Sequence, residues 1–230
     1  MKKIILLAAI AVCSISSYAQ FAFGVQLGPN LELSKAKDDQ YTSGIYNLEN
    51  DPKVGFLIGV LAEVGFGKLA FRPELNFIQR GSKTGLAGYN QLKFNLNYVE
   101  VPLNVVYNLK LSKVGKVFFG LGPNVGIGLG GKIKYENGES TKVAFDGKKE
   151  PTHDDKAHFK RMDIGANIIA GFQLKMGVFA KLGFTYGFSN LYPDKNYPHY
   201  DNNGNYVGTY DQSYKNRSVN LTIGYMLGKK

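Results

Sequence analysis

The sequence predicts an all-β fold: eight antiparallel strands in up-and-down order, closed into a membrane-spanning barrel behind a cleaved leader. Three observations predict it. Segment after segment pairs a bulky apolar row with a small or polar row. The connections alternate long and short. The chain opens with an export signal. From Val117 to Leu129 every second residue is apolar, whereas the row between them, from Gly120 to Gly130, is glycine apart from Asn124. Successive strand side chains point to opposite faces. Bulk on one face and a nearly empty opposite face suits a wall whose outside meets lipid.

The leader has Lys2 and Lys3, an apolar run Ile4–Val12, and small residues around Ser17-Tyr18-Ala19, the anatomy of a secretory signal. Residues 1–19 are expected to be the signal peptide and 20–230 the barrel domain. Cys13, the only cysteine, would leave with it. A lipid anchor on Cys13 is disfavoured, because Val12 stands where a small residue is expected. The mature chain therefore needs no disulfides. The formal charge of +10 becomes +8 without Lys2 and Lys3. For an exported chain that points to anionic lipid or lipopolysaccharide rather than to nucleic acid. The 28 glycines and 15 each of Phe and Tyr favour strands, since Gly weakens helices.

The strands follow in order. The first is Phe21–Leu31, with Phe21, Phe23, Val25 and Leu27 on one face. The second, Val54–Phe66, turns at Gly67-Lys68 into the third, Leu69–Arg80. The fourth is Lys93–Leu109 and the fifth runs from Val117 to about Lys134. The sixth, Met162–Lys175, turns at Met176-Gly177 into the seventh, Val178–Ser189. The eighth is Arg217–Gly228. The connections hold 22, 2, 12, 7, 27, 2 and 27 residues, as expected for short periplasmic turns and long outer loops. Each strand reaches the roughly 9–11 residues that span a bilayer. In lipid every backbone polar group must be paired, so the sheet must close. Pro73, Pro102 and Pro123 lie within strands and lack a ladder donor, so bulges or twisted spots are expected there, with the faces free to slip by one residue beyond them.

Three stretches carry a family resemblance: Phe71-Arg72-Pro73-Glu74-Leu75 followed by Gln79-Arg80-Gly81, then Tyr98-Val99-Glu100-Val101-Pro102-Leu103, then Gly120-Leu121-Gly122-Pro123. With the signal ending at Ala19-Gln20, the chain resembles the PorT-type outer-membrane β-barrel proteins of Bacteroidetes. The resemblance implies an eight-stranded barrel in the outer membrane of a Gram-negative bacterium. The family's namesake takes part in type IX protein secretion and gliding, and most members have no assigned role.

Seven charged residues fall on inward rows: Glu63, Arg72, Glu74, Arg80, Glu100, Asp163 and Lys181. One reading is a gated polar path. The other, favoured here, is a salt-bridged plug, because charges taken from water must be paired and a small barrel is filled by its own side chains. The glycines of the fifth strand are expected to make room for Arg72, Arg80 and Lys181. An enzyme would need a dyad held on a strand at the rim, yet His153, His158 and His199 all fall in loops. His153 and His158 beside Asp154 and Asp155 suggest a solvated charge cluster rather than a metal site. Neither enzyme activity nor a cofactor is expected. Asp201–Asn205 has only a faint likeness to a calcium loop, with Tyr206 where Gly is needed.

Tyr192, Tyr197, Tyr200, Tyr206, Tyr210 and Tyr214 crowd the last loop. They could contact a glycan or an envelope protein partner, or pack the loops together. Lys68, Lys110, Lys113, Lys116, Lys175, Lys229 and Lys230 form a basic periplasmic rim suited to inner-leaflet headgroups. The expected role is structural or interactive, with a narrow solute or ion channel as the first alternative and a lipid-A-modifying enzyme as the second.

Overall fold

In the computed structural model, residues 20–38, 48–86, 92–111, 113–148, 156–193, 196–200 and 206–228 are described. The expected signal peptide, Lys229, Lys230, His153, Asp154, Asp155 and the Asp201–Asn205 stretch lie outside them. Fifteen strands occur among the described residues. Eight form the wall: β1 (Gln20–Glu32), β4 (Lys53–Phe66), β5 (Leu69–Arg80), β7 (Leu92–Leu111), β8 (Gly115–Lys134), β11 (Met162–Leu174), β12 (Val178–Gly187) and β15 (Arg217–Gly228). All neighbours are antiparallel, and β7 pairs with β8 to close the ring.

The stagger can be followed residue by residue. Gln20 pairs with Gly65, Gly65 with Ala70, Ala70 with Val106, and Val106 with Gly120. Gly120 pairs with Ile169, Ile169 with Gly183, Gly183 with Asn220, and Asn220 with Asn30. One circuit thus climbs ten residues along β1, from Gln20 to Asn30. With strands ~4.8 Å apart and ~3.3 Å per residue, that shear tilts them by about 40° and sets a backbone radius of about 8 Å. Such a lumen holds side chains and little else.

The wall obeys the two-row rule. Phe23, Val25, Leu27, Ile58, Val60, Leu75, Leu121, Ile168, Leu182 and Ile223 all point outward, Leu121 at 67% exposure. An apolar surface of that extent has its counterpart in lipid. Gly67 and Gly177 hold positive φ in two of the short turns, at 72° and 100°, where a side chain would be strained.

One expectation needs correction. The prolines do not shift the register. The ladders beside them skip pairs, between Leu61↔Glu74 and Val64↔Phe71, between Pro73↔Leu103 and Asn76↔Glu100, and between Pro102↔Asn124 and Val105↔Leu121. The same register resumes beyond each gap, because a missing N–H costs a bond without adding a residue. The shift in the wall lies elsewhere: Asn97 pairs with Gly130 but Tyr98 with Gly128, leaving Leu129 as the extra residue. The long loops carry strands of their own. They contain β2 (Lys35–Asp38), β3 (Leu48–Asp51), β6 (Lys83–Leu86), β9 (Ser140–Ala144), β10 (Lys156–His158), β13 (Asn196–Tyr200) and β14 (Tyr206–Lys215). β3, β6, β9 and β10 carry the barrel sheet beyond its outer end, and β13, β14 and β2 form a second small sheet.

Candidate functional site

Even-numbered residues of β1, β5, β7 and β15 face inward, as do odd-numbered residues of β4, β11 and β12. This parity brings Glu63, Arg72, Glu74, Arg80, Glu100, Asp163 and Lys181 into the lumen, each 7% exposed or less. They lie in three tiers.

The inner tier, toward the short turns, pairs Arg72 with Glu63, and Lys116 Nζ reaches the other oxygen of Glu63 at 2.5 Å. The Arg72 guanidinium lies 4.1 Å from the centre of the Phe118 ring, a cation–π contact strengthened by burial. The middle tier is built on Glu74. Its carboxylate accepts from Lys181 Nζ at 2.6 and 2.8 Å, from Gln26 Nε2 at 2.7 Å and from Asn76 Nδ2 at 3.2 Å. Asn167 Nδ2 donates to Asn104 Oδ1 at 3.0 Å, and the Thr185 hydroxyl donates to Asn167 Oδ1 at 3.2 Å. The outer tier is built on Arg80, which bonds Glu100 through Nε at 2.5 Å and Glu32 through Nη1 at 3.1 Å. Glu32 also accepts from the Ser34 hydroxyl at 2.5 Å and the Arg217 amide at 2.9 Å. Asn216 Nδ2 donates to Asp163 at 2.8 Å.

Five carboxylates thus face four cations, and each carboxylate has a donor. Charge-assisted bonds of this kind are short and directional. They tie the strands together across the lumen.

Apolar clusters occupy the lumen on either side of the middle tier. Toward the inner end lie Leu61, Ala70, Val106, Phe118, Ile169, Phe179 and Met226. At the outer end Leu57, Ile78, Leu96 and Tyr98 meet Phe94, Ile133, Val143, Phe145, Phe159, Leu191 and Tyr214 from the extensions. Below the inner cluster a vestibule of about 260 Å³ opens among Glu63, Asn108, Lys110, Lys116, Gln173 and Lys175, and ends against Ala22 and Met226.

Several residues differ from their expected places. Glu32, one residue beyond the expected first strand, is 1% exposed in the outer tier; it continues the inward row of Gln26 and Asn30. Lys116 turns from the basic rim into the vestibule to pair with Glu63, whereas Lys68, Lys110, Lys113 and Lys175 stay exposed. The glycine row of β8 does not receive Arg72, Arg80 or Lys181. A Cβ on Gly128 would collide with the Phe145 ring, and one on Gly126 would meet Asp163 and Tyr98 at 3.4 and 3.5 Å. The hollow is filled by Phe145 at Gly128, by Asp163 and Tyr98 at Gly126, and by Val106 and Ile169 at Gly120.

Tyr214 is fully buried, its hydroxyl 3.3 Å from that of Ser82, and Tyr192 stacks on Phe159 with centroids 5.4 Å apart. Both pack the loops, Tyr214 fully buried and Tyr192 half-buried. Tyr206 is exposed; Tyr197, Tyr200 and Tyr210 lie on β13 and β14. His158 is buried, with Nδ1 2.7 Å from Asp146 Oδ1, and His199 lies on β13. Among the described residues no three His, Cys, Asp or Glu side chains converge as a metal site.

An apolar outside, a filled polar inside and a closed eight-strand ring define a transmembrane β-barrel of the small outer-membrane class. The chain belongs to the outer membrane protein beta-barrel domain family, whose model matches residues 16–192. Among solved structures it is similar to the outer membrane protein OprG of Pseudomonas aeruginosa, with 10% identity and a TM-score of 0.51, covering 92% of this chain and 98% of that one. It is also similar to Ail, the attachment invasion locus protein of Yersinia pestis, with 15% identity and a TM-score of 0.42, covering 90% and 99%. Neisserial surface protein A matches with 12% identity and a TM-score of 0.42, covering 89% and 97%. The OprG likeness is one of fold. No curated protein matches the chain in sequence.

Proposed function

We propose that this is a sealed, non-enzymatic barrel of a Gram-negative outer membrane whose work is structural or interactive, done by its surface and not by conduction. The observation that carries the reading is the filled lumen: three paired tiers and two apolar clusters in a wall of about 8 Å radius. An ion crossing it would have to break charge pairs that stay strong because water is excluded. The experiment is planar-bilayer recording on the purified full chain. The expected trace has no steady unitary current; steady currents abolished by Arg72→Ala or Glu100→Ala would overturn the reading.

A narrow channel is the second reading, favoured by the inner vestibule, which is half of a path. The Phe71–Leu75, Tyr98–Leu103 and Gly120–Pro123 stretches support placing the chain in the PorT-type branch found in Bacteroidetes, and with it an accessory part in secretion or surface contact. Repeated recovery of one envelope component after crosslinking in intact membrane would support that part.

A further inference from the structure

Above the lipid-facing wall, the extension sheet carries lysines directly opposite one another. Lys83 of β6, which has Asp51 of β3 opposite it on the far side, pairs with Lys93 of β7, and Lys93 with Lys134 of β8. One step away, Lys132 of β8 pairs with Lys142 of β9, and Lys142 with Lys156 of β10. The two rows share one face, each spanning three strands, or roughly 10 Å. Like charges directly opposite in a sheet are destabilising. None of Lys83, Lys93, Lys132, Lys134 and Lys142 is in an ion pair among the described residues.

The shift at Leu129 creates this face. Up to Leu129 the odd-numbered residues of β8 point out. Beyond it Ile133 turns into the aromatic cluster, 7% exposed, and Lys132 and Lys134 turn outward. Without the extra residue the lysines would point into that cluster and Ile133 into water, since one residue flips every face. The location is equally specific. Leu129, 57% exposed, is the last apolar outward residue of β8. At ~3.3 Å per residue and a tilt of about 40°, Lys132 and Lys134 stand about 8 and 13 Å above it. That is the headgroup layer of the outer leaflet.

We infer that the two lysine rows bind the phosphate groups of lipopolysaccharide. The ammonium groups take the place of the divalent cations that otherwise bridge those phosphates, and the phosphates relieve the lysine–lysine repulsion. The inference rests on the membrane placement alone, so it stands or falls separately from the sealed lumen.

The test uses the full-length barrel folded in neutral detergent. Fluorescent lipopolysaccharide is titrated against wild type, against Lys132→Ala/Lys134→Ala/Lys142→Ala, and against Lys110→Ala/Lys113→Ala/Lys175→Ala at the opposite rim. Heat-dependent gel mobility selects the folded fraction of each. Near a charged surface each lysine contributes enough that the outer triple variant is expected to bind on the order of tenfold more weakly or worse. The inner triple should lose far less than the outer triple, and wild type should lose the outer triple's share of affinity for dephosphorylated lipopolysaccharide. Equal binding by the outer and inner variants, or no dependence on the phosphates, overturns the inference. So does preference for a soluble sulfated polysaccharide that lipopolysaccharide cannot displace, since the face would then serve a polyanion outside the membrane.

Discussion

The two ends of the lumen are built differently. At the outer end Arg80 is clamped between Glu32 and Glu100 under a lid of rings: Phe94, Tyr98, Phe145, Phe159 and Tyr214. At the inner end Arg72 meets one carboxylate, which it shares with Lys116 at the edge of an open vestibule. One end is dry and its charges depend wholly on each other. The other is near water and its charges have a second recourse. The same kind of ion pair should therefore matter differently at the two ends.

The largest expected effect tests that difference. Arg80→Ala strips the cation from two carboxylates that are 1% and 3% exposed. Removing one partner of a buried pair costs about 3–5 kcal/mol. Arg72→Ala leaves Glu63 with Lys116 at 2.5 Å and with the vestibule, so its cost should be smaller, about 1–3 kcal/mol. Urea unfolding in detergent, followed by tryptic protection of the barrel, measures both. Equal losses would break the comparison.

The next effect is confined to the outer end. Phe159 is 1% exposed and contacts Phe94, Phe145, Tyr192 and Tyr214. Phe159→Ala should cost about 3 kcal/mol of local packing. The loss should fall on the lid, because Phe159 lies outside the wall strands. Limited proteolysis should then cut the extensions while the membrane-spanning core keeps its heat-dependent gel mobility. Loss of that mobility would show that lid and barrel fold as one unit.

Much of this was legible from parity alone. A period of two, carried through eight segments, assigned Glu63, Arg72, Glu74, Arg80, Glu100, Asp163 and Lys181 to the lumen, because one face of each strand is uniformly apolar. The signal failed where both faces are wet or both are packed. Ser140–Ala144 reads Ser-Thr-Lys-Val-Ala, and its strand exists because β8 beyond the bulge offers it an edge. Glu32 was lost because its strand ends one residue beyond the last bulky side chain. The Leu129 shift was not readable, because the sequence shows a glycine-rich run and not which residue its neighbour leaves unpaired. The prolines drew attention instead, and they only interrupt pairs.

The smallest effect sharpens the outer end further. Asp146, on the loop after β9, has its carboxyl held below the usual 3.8, first by the hydrogen bond to His158 and next by the Lys148 amide. A carboxyl with a lowered folded pKa contributes its full stability above its unfolded pKa and loses it as pH falls through the folded value. The contact therefore stays intact at neutral pH and weakens below about pH 4. Because Asp146 is exposed, the change is local. It should register as faster amide exchange at Gly147 and Phe159, whose backbone bonds, Gly147 to Phe159 and Phe159 to Ala144, hold β10 against β9. Other carboxylates titrate in the same range, so Asp146→Asn isolates the contribution: exchange at those two amides should then respond less to acid than in wild type. An undiminished response in the variant would mean that the acid sensitivity of the lid comes from the buried outer tier, and that lid and tier are one cooperative unit.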